Sequence, residues 1–114
     1  MSNRQQLHIL WTNDNPITAE SMVFMYALNS LKHGWWDQVT LVIWGATARL
    51  AAENGAIQGR LQQLQQQGVG ISACKACANE LGVTETLQGL GFEVKYWGQP
   101  LTELLQSGAP LLTV

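Results

Sequence analysis

The spacing of apolar positions changes period repeatedly along the chain. Leu7, His8, Ile9, Leu10 and Trp11 form a short β-like run, closed by the polar Thr12-Asn13-Asp14-Asn15-Pro16. Met22, Met25, Tyr26 and Leu28 then recur at helical spacing. Thr18 is the expected N-cap of this helix, with Ser21 as a rival, and Gly34 its stop just after Lys32-His33. Residues 38–44 are rich in β-branched side chains and wholly apolar at their end, the pattern of a strand buried on both faces in a parallel sheet. Residues 47–53 predict a short helix closed at Asn54-Gly55. Residues 57–67 predict a second, with Ile57, Leu61 and Leu64 on one stripe and glutamines on the solvated face.

Small residues make the third strand, 68–73, and a short helix over 74–81 follows, stopped at Gly82. Residues 84–90 give another helical turn or two, and 93–97 a fourth strand. Pro100 suits position N1 of a last helix with Leu101, Leu104 and Leu105 as its buried stripe and Gly108 as its stop. Residues 110–114 read as a final strand. Strands alternating with helices imply an α/β fold with a parallel sheet covered on both faces. Ligands in such sheets bind at the edge where the strands' C-terminal ends lie.

Composition sets bounds on this picture. The 114 residues support one domain, spanning 1–114, and 46% hydrophobic residues fill its core without a metal or disulfide. Only 12% of residues are charged, against a typical value of about 25%. Twelve glutamines offset part of that deficit. The remainder points to self-association. A net charge of −2 without a basic run argues against nucleic acid as a partner. No apolar stretch approaches the ~20 residues of a membrane span, and the N-terminal MSNRQQLHILWTNDNP lacks a signal-peptide pattern. The expected location is therefore cytoplasmic, where two cysteines are thiols rather than a structural bridge.

The sharpest chemical feature is Ser72-Ala73-Cys74-Lys75-Ala76-Cys77-Ala78, where the third strand hands over to a helix. A helix start stabilises a thiolate at Cys74, and Lys75 adds a cation. Cys77 lies one turn on, within reach as a resolving thiol. The competing reading is packing, since cysteine is among the most buried residue types. This C-x-x-C follows the third strand, whereas thioredoxin-like redox motifs follow the first. One C-x-x-C with only His8 and His33 besides makes zinc a poor fit, and no cofactor motif occurs.

Several residues at the same edge could support Cys74. Asn13 and Asp14 could bind a polar ligand, or simply build an Asx turn that caps the helix. Gly45 makes a tight strand-to-helix turn. Trp11, Trp44 and Trp97 each end a strand and could wall a pocket or a subunit contact, with core packing as the alternative. Trp35-Trp36, past a helix end, suits association.

In this order of features the chain resembles the DsrE/DsrF-like (DsrEFH) family of small sulfur-handling proteins. The resemblance runs from the first strand and its polar loop through 39–44 and Gly45, Gly68-Val69-Gly70-Ile71-Ser72-Ala73-Cys74 and Gly82-Val83, to Trp97-Gly98-Gln99-Pro100-Leu101-Thr102-Glu103-Leu104-Leu105. It implies a three-layer α/β/α domain of flavodoxin-like appearance, with a five-stranded parallel sheet in the order 4-3-2-1-5. It also implies a homotrimer or hexamer. In the family's sulfur-relay members a cysteine after the third strand accepts a persulfide and passes it on, so donor and acceptor proteins are implied as partners. Cys74 matches that position by its spacing to Gly82. Cys77 falls where relay members tend to have a small residue. Asn79-Glu80-Leu81 stands where they often have basic residues.

The expected function is thus a cytoplasmic sulfur carrier, or sulfurtransferase-like protein, with Cys74 carrying the persulfide and Cys77 resolving it. Two alternatives are a thiol–disulfide redox or redox-sensing protein using the same pair, and a non-catalytic oligomeric module that binds a small ligand.

Overall fold

The computed structural model describes residues 5–114; the N-terminal reading above also draws on residues 1–4, which lie outside that range. Five strands, β1 (Gln6–Trp11), β2 (Gln38–Ile43), β3 (Gly70–Cys74), β4 (Glu93–Lys95) and β5 (Leu111–Thr113), form one parallel sheet in the order β4-β3-β2-β1-β5. The α/β/α architecture and the 4-3-2-1-5 order are as the resemblance implied.

Helix α1 begins as an α-helical turn (Pro16–Thr18), passes through a π segment (Ala19–Phe24) and ends as α-helix (Met25–Lys32). Its N-cap is Asn15 rather than Thr18: the Asn15 carboxamide oxygen accepts from the N–H groups of Ile17 and Thr18 at 2.9 and 3.1 Å. Pro16 at N1, with φ preset for a helix and no N–H to satisfy, marks this start. At the other end Gly34 has φ +69°. The Gly34 and Trp35 N–H groups donate to Leu31 and Ser30, closing the helix as expected.

Helices α2 (Ala46–Glu53) and α3 (Gly55–Gln66) link β2 to β3. Helices α4 (Lys75–Leu81) and α5 (Thr84–Gly89) link β3 to β4, and α6 (Gly98–Ser107) links β4 to β5. Asn54 ends α2 and caps α3 through its side chain, which accepts from the Ile57 N–H at 3.1 Å. Ile57, Leu61 and Leu64 are buried, as their stripe predicts.

Right-handed crossovers dictate the layers. The chain steps in one direction from β1 to β4, so α1 to α5 all lie on one face. It returns from β4 to β5 in the opposite direction, so α6 alone covers the other. The five-helix face buries Leu7, Ile9, Trp11, Leu41, Ile43, Ile71 and Ala73 in one core. The α6 face holds only a small cluster of Val42, Cys74 and Trp97, with half-buried Leu10 and Leu104 against it. No residue of α6 is fully buried, and Leu105, expected in the stripe, is 61% exposed. Pro100 is the third residue of α6 rather than the first. The first turn has no intrahelical partner for its N–H groups, so proline fits there equally well. No helix among the described residues is long and apolar enough to cross a membrane.

Candidate functional site

The handover from β3 to α4 falls one residue later than the pattern predicts. Cys74 is the last residue of β3 and the N-cap of α4, with extended backbone angles (φ −72°, ψ 117°). Strand alternation puts it on the same side as Ser72, facing α6. There it is 3% exposed, packed with Val42 and Trp97. The expectation of a reachable thiol at this position is not met.

The lid over Cys74 is itself anchored. Trp97 donates from Nε1 to Ser72 Oγ at 2.8 Å, and Ser72 donates to Glu93 Oε1 at 2.6 Å. Lys95 Nζ stands 4.6 Å from the Trp97 ring centroid, and His8 meets the same ring edge-on at 5.9 Å. Burial, and secondarily the Lys95 charge, holds the His8 pKa below its usual 6.5. A cavity of about 350 Å³ lies outside this lid, lined by His8, Lys95 and Trp97 with residues of α6, and Cys74 does not reach it.

Cys77 has a different setting. It is the third residue of α4, half-buried, and packs against the clusters of both faces of the sheet. It lines a cavity of about 600 Å³ together with Gly45, Ala46, Arg49, Leu50 and Glu53 from the start and one face of α2. Glu80 and Leu81 of α4 and Asp14 of the β1–α1 loop complete the wall. Positions 46, 49, 50 and 53 fall at helical spacing, so one face of α2 supplies them all.

The turn before α2 is held from below. Thr47, fully buried, donates from Oγ1 to the Trp11 carbonyl at 2.7 Å and accepts from the Trp44 N–H at 3.2 Å. These bonds tie the ends of β1 and β2 to the start of α2. Gly45 between them has φ +75° and ψ −137°, a conformation that side chains with a Cβ resist. Its carbonyl accepts from Cys77 Sγ at 3.4 Å. The glycine turn thus presents an oxygen to the thiol at the cavity wall. Both cysteines are free, and Cys77 also packs against the cluster that holds Cys74.

Of the residues singled out in the sequence, the structure gathers Cys77, Gly45 and Asp14 at one cavity. Lys75 is turned to Tyr96, its Nζ 5.5 Å from the ring centroid, and is not in the wall. Asn13 forms an Asx turn, accepting from the Asn15 N–H at 2.9 Å. Trp11 is fully buried edge-on against Phe24, and Trp97 lies on the opposite face of the sheet. Sequence reading missed Arg49, Glu53 and Glu80. The helical spacing of Ala46, Arg49 and Glu53 after the Gly45 turn was a usable signal. That this face lies beside α4 depends on the order of the crossovers. Among the described residues no group of three or more His, Cys, Asp or Glu side chains is placed to hold a metal ion.

Solved structures with the same architecture exist. BT1422 of Bacteroides thetaiotaomicron, a conserved protein of unknown function, is 40% identical, with a TM-score of 0.96 over 100% of this chain and 98% of that one. The ychN protein of E. coli shares the fold at 17% identity and a TM-score of 0.69, over 96% and 99% of the two chains. MTH1491 of Methanobacterium thermoautotrophicum, also of unknown function, does so at 14% identity and a TM-score of 0.66, over 96% and 98%. No curated protein matches the sequence. The profile of the DsrE/DsrF-like family matches residues 7–114.

Proposed function

The chain belongs to the DsrE/DsrF-like family, and from that premise and the setting of its two thiols we propose that it is a cytoplasmic sulfur carrier whose entry thiol is Cys77 rather than Cys74. The observation that carries this reading is that Cys77 lines the larger cavity while Cys74 is 3% exposed. The Cys77 thiolate attacks the outer sulfur of a donor persulfide. The donor's S–S bond breaks, its thiolate departs, and a new S–S bond leaves Cys77 as the persulfide. A second thiolate, from an acceptor protein, repeats the exchange and removes the sulfur.

Treatment with cysteine persulfide followed by mass spectrometry tests this. Cys77 gains the mass of one sulfur atom, Cys77→Ser abolishes the gain, and Cys74→Ser leaves it intact. A gain that survives Cys77→Ser contradicts the assignment.

The contact of Cys77 with the Cys74 cluster favours a second use of the pair. If the lid opens, the Cys74 thiolate can attack the inner sulfur of the Cys77 persulfide, expelling hydrosulfide and leaving a Cys74–Cys77 disulfide. A disulfide formed reversibly at cytosolic potentials marks the redox-sensing alternative.

We also read the protein as a homo-oligomer, trimer or hexamer. Support comes from the charge content of 12% and from the exposed Ile17, Met25, Trp35, Tyr96 and Leu105. Light scattering at micromolar concentration checks this, and a monomer contradicts it.

A further inference from the structure

The charges around the thiol bear on which sulfur donor enters, an inference that rests on Cys77 being the reactive thiol. Asp14, Glu53 and Glu80 stand in the cavity wall with Arg49 as the only cation among them. Among the described residues the side-chain ion pairs are Arg60–Glu20 and Lys95–Glu93, so none of these four is held in a direct ion pair. Three carboxylates against one guanidinium leave the rim with an excess of two negative charges, as large as the formal charge of the whole chain. Leu50, Leu81 and Cys77 line the same cavity. All four charged residues are exposed at the cavity, so their field acts on an ion as it enters and weakens with added salt.

We propose that this cavity selects low-molecular-weight sulfur donors bearing an ammonium group over dianionic donors of the thiosulfate kind. The carboxylates of Asp14, Glu53 and Glu80 attract the ammonium. Arg49 accommodates a single carboxylate, so an amino-acid persulfide or disulfide matches both signs of the wall. A dianion meets net repulsion before its sulfur reaches Cys77.

Three symmetric disulfides of different charge serve as probes: cystamine, bis(2-hydroxyethyl) disulfide and 3,3′-dithiodipropionate. In each case the Cys77 thiolate forms a mixed disulfide and expels one probe thiolate, with no other reactant. Rates are read by mass spectrometry at fixed pH and low ionic strength, then divided by the rate of each probe with the urea-unfolded chain. The expected order is cystamine, then the neutral probe, then the dicarboxylate, with about tenfold between the extremes. Glu53→Gln with Glu80→Gln compresses that ratio to about threefold or less, and 0.5 M salt does the same. Arg49→Gln widens it. Equal normalised rates for all three probes, or a faster dicarboxylate, overturn the selectivity while leaving Cys77 as the entry thiol. If no probe modifies Cys77 in the folded protein while all modify the unfolded chain, the reading of Cys77 falls and the selectivity falls with it.

Discussion

Cys74 and Cys77 are three residues apart, yet their settings differ: Cys74 is sealed in the cluster of the α6 face, whereas Cys77 touches the clusters of both faces and lines a cavity. Cys74 ends a strand and points to the face covered by α6 alone, beneath Trp97. Cys77 sits a turn into the next helix, at a cavity that α2, α4 and the β1–α1 loop line together. Coverage by helices and access to a site are separate properties: the face with five helices carries the cavity, and a small cluster around Trp97 encloses Cys74 on the face with one.

The sharpest way to break this contrast is to remove the lid. Trp97→Ala deletes a side chain 4% exposed and its hydrogen bond to Ser72. It is expected to cost about 3 kcal/mol in urea unfolding and to raise the alkylation rate of Cys74 toward that of Cys77. Stability lost without any change at Cys74 means that Trp97 is not what seals it.

A matched pair of leucines compares the two layers next. Leu61 of α3 is fully buried, and its replacement by Ala is expected to cost about 3 kcal/mol. Leu104 of α6 is half-buried, and the same replacement is expected to cost about 1 kcal/mol. Equal losses in chemical denaturation contradict the idea of a thin second layer.

The smallest effect concerns His8 on the α6 face. Because its pKa is lowered in the fold, the folded protein binds fewer protons than the unfolded chain between that lowered value and 6.5. Stability is full above pH 6.5 and declines as pH falls through this window. His8 is partly exposed, so solvent screening keeps its share small. Denaturation at several pH values should show a shallower decline in His8→Asn, and an unchanged slope counts against the assignment.

Local chemistry was legible in the sequence wherever one residue type decides the geometry. Gly34, Gly45, Gly82 and Gly108 all adopt positive φ where the pattern placed a stop or a turn. Ile57, Leu61 and Leu64 are buried because their spacing fits the helix period. What failed depended on counting to a single residue, or on distant parts of the chain. A strand that ends one residue later than its pattern made Cys74 a strand residue, so its side chain follows the two-residue alternation into the α6 face. Asn15 and Thr18 are both good caps, and only Pro16 distinguishes them. Leu105 continues an apolar stripe on paper, but the lone helix that carries it leaves it in solvent. The charged wall of Arg49, Glu53 and Glu80 exists because two crossovers set α2 beside α4, a relation no local pattern encodes.

Site-resolved alkylation of the native protein with iodoacetamide, read by peptide mass spectrometry, tests the central claim most directly. Cys77 is expected to react at least about 100-fold faster than Cys74, which needs local opening before it can react. In urea the two should react alike. Native rates that are equal, or faster at Cys74, contradict the assignment of the accessible thiol to Cys77.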